Sequence, residues 1–120
     1  MTETPTETQE SIALVRWMTD HGLVFCHVAN ERKCSPQEGR IKKAMGVARG
    51  FPDYEIFTEP PLHAPARGVF IEMKKRGETT RKPEQIAWAE RLRRCGWIGR
   101  TCEGAREAVE FLRELGYGCG

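Results

Sequence analysis

The sequence predicts an α/β domain, a small mixed sheet flanked by helices in the order α-β-α-β-β-α-β-α. Three observations carry that expectation. Apolar residues recur at helical spacing in some stretches and at strand spacing in others. Glycines and prolines sit at the changeovers. One stretch, residues 68–74, divides its side chains into an apolar face and a charged one. The 120 residues suit one domain. The expected boundaries are a disordered arm over 1–6, a single domain over 7–117 and a flexible tail over 118–120.

The first helix is expected from about Glu7 to Asp20. Ile12, Val15 and Met18 or Thr19, flanked by Leu14 and Trp17, supply its apolar side, and His21-Gly22 ends it. Leu23 to Val28 then reads as a buried strand. The second helix has Ser35 as N-cap, Pro36 at its first position, Glu38 three residues after the cap and Gly46 past its end. It carries Arg40, Lys42 and Lys43, so one side should be cationic. Asp53 to Thr58 and Gly68 to Lys74 are candidate strands, and the linker holding Pro60, Pro61 and Pro65 suits an irregular hairpin tip. A third helix starts near Pro83 and ends at Gly96. Trp97 to Cys102 reads as a short strand. Ala105 to Leu115 closes the chain as a helix with Ala108, Val109, Leu112 and Leu115 as its stripe.

Composition narrows the function classes. Hydrophobic residues at 39% and charged residues at 30% describe an ordinary globular protein. The longest apolar runs are far too short to cross a bilayer, and a polar start bearing Glu3, Glu7 and Glu10 does not read as a signal peptide. Cys26, Cys34, Cys95, Cys102 and Cys119 contain no CxxC pair, which favours a reducing cytoplasm over a disulfide framework or a zinc knuckle. The net charge of +2 is small but unevenly spread. Residues 73–100 are rich in Lys and Arg, whereas residues 1–30 carry Arg16 against Glu3, Glu7, Glu10 and Asp20. That pattern suits either a negative partner bound on one side or simply a solvated face.

Alternation along 68–74 puts Phe70, Glu72 and Lys74 on one face, with Val69, Ile71 and Met73 turned to the core. If the strand from Asp53 pairs with this one, Asp53 lies beside Glu72, and two carboxylates and an ammonium converge. Such paired carboxylates suit a hard cation such as Mg²⁺ or Mn²⁺. A bound cation polarises a phosphate and acidifies a water, and Lys74 would orient that water and stabilise developing negative charge. Taken alone, an ExK tripeptide in a strand is usually a solvated face. Gln85 adds to the cluster because it shares the inward stripe of the third helix with Trp88 or Ala89, Leu92 and Cys95. An amide there either bonds backbone in the first turn or reaches into a site.

Together these residues resemble a family. Asn30, Lys33, the run Gly46-Val47-Ala48-Arg49-Gly50-Phe51-Pro52-Asp53, then Phe70-Ile71-Glu72-Met73-Lys74 and Lys82-Pro83-Glu84-Gln85 look like the signature of the VRR-NUC nucleases. That family belongs to the PD-(D/E)xK superfamily, whose core is restriction-endonuclease-like, and also forms the nuclease module of the Fanconi-associated nuclease. The resemblance runs from about Glu7 to Leu115. It implies a stand-alone enzyme of the kind found in bacteriophages and bacteria, working in the host cytoplasm as a homodimer that cuts branched DNA such as Holliday junctions or flaps. By the same resemblance Asp53, Glu72 and the Met73 carbonyl would hold Mg²⁺ or Mn²⁺. Lys74 would be the catalytic lysine and Gln85 the helix glutamine. Glu10 would be the first-helix acid and a further ligand of the metal, with Glu7 as its competitor on the same helical face. Lys33, Arg40, Lys42, Lys43, Lys75, Arg76 and Arg81 are candidates for phosphate contacts.

Two positions depart from the family pattern. Glu55 stands where relatives carry an apolar residue; an exposed sheet edge is the favoured reading, a further carboxylate near the metal the other. Glu31-Arg32 replaces the glycine-rich pair usual after Asn30. His27, in the first strand beside the expected site, reads as a satisfied strand histidine, with contact to substrate as the other reading. His21 and His63 read as turn and loop residues, and Trp17, Trp88 and Trp97 as core, with stacking on bases as their alternative. Two other classes remain open: a non-catalytic nucleic-acid-binding or assembly protein, and an RNase or restriction-like nuclease on the same scaffold.

Overall fold

A computed structural model describes residues 5–28, 35–78 and 80–118. Its elements follow the expected order: α1 (Glu7–Asp20), β1 (Phe25–His27), α2 (Pro36–Ala44), β2 (Tyr54–Ile56), β3 (Gly68–Lys74), α3 (Pro83–Arg94), β4 (Trp97–Glu103) and α4 (Gly104–Glu114). Asn30, Glu31, Arg32, Lys33, Cys34 and Cys119 lie outside the described residues, as do 1–4 of the expected arm and 119–120 of the expected tail.

The sheet runs β1-β2-β3-β4. β1, β2 and β3 are antiparallel neighbours, and β3 pairs with β4 in parallel, Gly68 opposite Trp97. A parallel pair needs a crossover, and α3 is that crossover. The β2–β3 connection is a hairpin whose long linker folds back on α4: the Leu62 N–H reaches the Leu115 carbonyl at 3.0 Å, and the Tyr117 hydroxyl donates to the Thr58 carbonyl.

Pleating decides the layers. Tyr54, Ile56, Val69, Ile71 and Cys102 point to one face, where they meet Leu14 and Met18 of α1 and Ala108, Phe111 and Leu112 of α4. Each fully buried large side chain contributes roughly 1.5–3 kcal/mol, so this layer holds the fold. Burial pushes the Cys102 thiol up to about 12, which makes it inert. The opposite face takes α3. Arg93 lies over the Phe70 ring at 5.5 Å, Phe51 meets Trp88 edge-on at 5.2 Å, and Ala89 is buried.

Several expectations change. On α1 the buried row is Glu10, Leu14 and Met18, four residues apart, and Ile12 is 53% exposed. The segment 23–28 is not a buried strand: β1 spans three residues at the sheet edge, and Cys26 and His27 are exposed. Glu55 is not at an edge, because β2 lies between β1 and β3. The last turn of α3 also opens to solvent, since Cys95 is its exposed C-cap rather than part of the inward stripe. Trp17, Trp88 and Trp97 are only partly buried.

α2 starts and stops as its sequence requires. The Ser35 hydroxyl accepts the Glu38 N–H at 3.1 Å, and the Gly46 and Val47 N–H groups close the C-terminus on the Lys43 and Lys42 carbonyls. It buries no residue, so its cationic side chains stand out from the sheet.

Candidate active site

Tyr54 pairs with Ile71, so one further step in the same register sets Asp53 opposite Glu72. Both carboxylates are buried, Asp53 at 7% and Glu72 at 8% exposure. Asp53 Oδ2 accepts the Met73 N–H at 2.7 Å, which locks the side chain across the end of the β2–β3 ladder. Burial raises the Asp53 carboxyl above its ordinary value; the Met73 N–H, the facing Glu72, His27 and Lys74 pull it the other way without restoring it. A strand residue's N–H and C=O point to the same edge, so the Met73 carbonyl opens beside Asp53.

Gln85 joins the cluster. Its Oε1 accepts from Lys74 Nζ at 3.0 Å and from the Lys82 N–H at 3.1 Å, and its Nε2 donates to Glu72 Oε1 at 3.2 Å. This amide thus both bonds the first turn of α3 and links the lysine to the carboxylate. Gly50 lets the Asp53 loop come this close. Its φ is +78°, and a Cβ there would lie 2.6 Å from the Glu84 carbonyl carbon and 2.8 Å from the Gln85 nitrogen. The Phe51–Trp88 contact then pins the loop on α3.

Glu10 is held elsewhere. Its Oε2 accepts the Ala105 N–H at 3.1 Å at the start of α4 and the Arg76 Nε at 3.2 Å, while Oε1 faces Arg76 Nη2 at 3.5 Å. It lines the same cavity as Asp53 and Lys74, and so does Glu7, but its carboxylate is tied to α4 and Arg76. Arg76, read as a phosphate contact, is thus engaged by Glu10, though its side chain stays 48% exposed. Arg40, Lys43, Lys75 and Arg81 are exposed and Lys42 is half-buried.

Among the described residues, no three of His, Cys, Asp and Glu stand close enough to enclose a metal ion. Asp53, Glu72 and the Met73 carbonyl would offer a cation two carboxylates and a carbonyl. That donor set fits Mg²⁺, which keeps several waters and takes one or two carboxylates together with substrate oxygens. Asp53 gives the supporting observation, since its buried carboxyl is undercompensated by its own surroundings.

Two features go beyond the sequence reading, the burial of Glu55 and the ring contact of His27. Glu55 is 4% exposed, neither oxygen has a hydrogen-bond partner, and burial with the nearby Asp53 pushes its carboxyl up to about 8. Its position after Asp53 and Tyr54 was the available signal, since alternation already places it on the Asp53 face. His27 stacks on Tyr54, ring centroids 4.5 Å apart. No pattern of spacing announces a contact between neighbouring strands.

No protein-family model and no curated protein matches the sequence. Among solved structures, the chain is similar to a protein described as a VRR_NUC domain protein, with a TM-score of 0.70 and 22% identity. The match covers 95% of this chain and 90% of that one. The fold is therefore that of a VRR_NUC domain, a four-stranded mixed sheet between helices.

Proposed function

We propose that this chain, which has the VRR_NUC fold, is a metal-dependent endonuclease that hydrolyses DNA phosphodiester bonds. The observation that carries the reading is the buried Asp53–Glu72 pair tied through Gln85 to Lys74. Asp53, Glu72 and the Met73 carbonyl are the groups that would hold Mg²⁺ or Mn²⁺. When bound, such an ion polarises the phosphate and supplies a water of lowered pKa. Lys74 is placed to orient the attacking water and to offset negative charge as the phosphorus is attacked. Gln85 keeps that ammonium beside Glu72 and limits its motion. Glu10 assists indirectly, by fixing Arg76 and the start of α4 along the cavity.

Arg40, Lys42, Lys43, Lys75 and Arg81 serve as phosphate contacts, with Lys33 added from outside the described residues and Arg76 through its exposed part. Contacts of this kind bind without regard to sequence and weaken steeply with salt. Branched DNA, a four-way junction or a flap, is the substrate, and two copies act together as a homodimer. Support for these finer points comes from the resemblance of the signature residues.

The test is a panel of four-way junction, flap, duplex and single-stranded RNA, each with Mg²⁺, Mn²⁺ or EDTA, run with wild-type protein and Asp53→Ala. Cutting of the branched DNAs with metal, abolished by EDTA and by Asp53→Ala, is the expected result. Cutting that persists in EDTA, or RNA as the only substrate cut, would overturn the reading.

A further inference from the structure

Beside the carboxylate pair, two open cavities of ≈ 310 and ≈ 430 Å³ run together along α1. Asp53, Met73 and Lys74 line the first; Val15, Arg16 and Tyr54 line the second; Ser11, Ile12 and His27 line both. Each is within the range of small-ligand sites, about 300–1,000 Å³. The trough therefore starts at the reacting centre and leads away from it beneath one exposed helix face.

Its shared wall has an unusual make-up. His27 is exposed, yet its ring lies on Tyr54 with centroids 4.5 Å apart and planes 18° from parallel. Tyr54 is 1% exposed, so one face of the imidazole is covered by a fixed ring and the other is left to the trough. Ile12 lines both cavities with it at 53% exposure, an apolar side chain that the core does not use. Ser11 lines both cavities and meets the Tyr54 hydroxyl, while Arg16 and Asp20 give the second cavity an exposed cation and an exposed acid. A flat ring already held in place, an exposed apolar side chain on the same lining, and the cations Lys74 and Lys75 of the first cavity suit a flat aromatic ligand bearing an anionic linkage. An unpaired nucleotide is such a ligand, because every base offers a face for stacking. A paired base cannot reach the ring, since its faces are already stacked on its neighbours.

We infer that His27, backed by Tyr54 and with Ile12 on the same lining, forms a subsite for one unpaired DNA nucleotide next to the phosphate that is cut. The inference rests on the nuclease reading of the Asp53–Glu72 centre and goes beyond it, because it gives the enzyme a physical reason to prefer DNA with unpaired bases. Fixing the ring in advance removes an ordering cost that a free side chain would add on binding.

The test is DNA binding by fluorescence anisotropy with Ca²⁺ as the cation, comparing a flap with the fully paired duplex of the same sequence. His27→Ala should weaken flap binding about tenfold, within the range expected for one stacked base, and leave duplex binding within about twofold. His27→Phe should restore flap binding, because the flat ring is what acts. An abasic nucleotide beside the cut phosphate should weaken wild-type binding by the same factor and add nothing in His27→Ala. Thermal unfolding of each variant checks that the edge strand still folds. Equal weakening on flap and duplex, or unchanged flap binding in His27→Ala, would overturn the subsite while leaving the nuclease reading in place. A wild-type protein that neither binds nor cuts any DNA would overturn both.

Discussion

Glu55 shows how much a single residue can carry. It sits between Cys26 and Phe70 on neighbouring strands, 4% exposed, with neither oxygen bonded. With its carboxyl pushed up to about 8, against an ordinary value of 4.5, the folded state holds the proton more tightly than the unfolded chain does. Between these two values the folded chain binds more protons, so Glu55 lowers stability as pH rises through that window. Glu55→Gln should therefore be close to neutral at pH 4.5 and stabilising by at least about 1 kcal/mol at pH 8.5. Urea unfolding at the two pH values measures this, and an equal effect at both contradicts it. Glu10 is the opposite case, a buried carboxylate whose oxygens are bonded. Glu10→Ala should cost about 2–4 kcal/mol, because it strips both the Ala105 N–H and the Arg76 guanidinium of their acceptor. Gly104 leaves no room for a side chain there, since a Cβ would fall 1.9 Å from Glu10 Oε2 and φ is +82°. Gly104→Ala should lower the melting temperature for the same reason. For Glu10 the sequence offered a place near a helix start and, by resemblance, a part in the site, but not the groups that hold it. Its partners lie 66 and 95 positions away, beyond the reach of any local pattern.

At the scale of elements, the most legible were those with local causes. β3 came out with the expected ends because alternation over seven residues fixes its register and its faces together. The ends of α2 followed from Ser35, Pro36 and Gly46. β1 was misread because an apolar run of that length looks alike in a buried strand and at an edge, and only the sheet order tells them apart. The same order took Glu55 from the expected edge to the interior. α3 was legible in its first turn, where Gln85 stands, and not in its last, where Cys95 runs out of sheet to cover. α2 also makes a prediction of its own. It buries nothing, so its cations have no structural duty, and replacing Arg40, Lys42 and Lys43 by Gln should leave the melting temperature nearly unchanged. The same triple change should reduce the slope of log affinity against log salt by about 2 to 3 if each side chain meets one phosphate. An unchanged slope in a salt titration would remove α2 from the DNA-binding surface.

At the scale of the molecule, the two faces of the sheet divide the work. α1 and α4 pack on one and supply the apolar core, while α3 on the other brings Gln85 to the Glu72 and Lys74 side chains. The Asp53 loop, held on α3 by Gly50 and Phe51, closes the site at the end of the β2–β3 hairpin. Among the described residues no helix is long and apolar enough to cross a membrane. This arrangement makes Lys74 a residue whose loss should stop chemistry without stopping binding, because its ammonium is partly buried in the site rather than spread on the surface. The most direct measurement is single-turnover cleavage of a flap DNA in Mg²⁺ at saturating protein, comparing wild type with Lys74→Met and measuring the affinity of each. The account predicts a rate lower by about 100- to 10,000-fold with affinity within about threefold. Cleavage by Lys74→Met at the wild-type rate would contradict it.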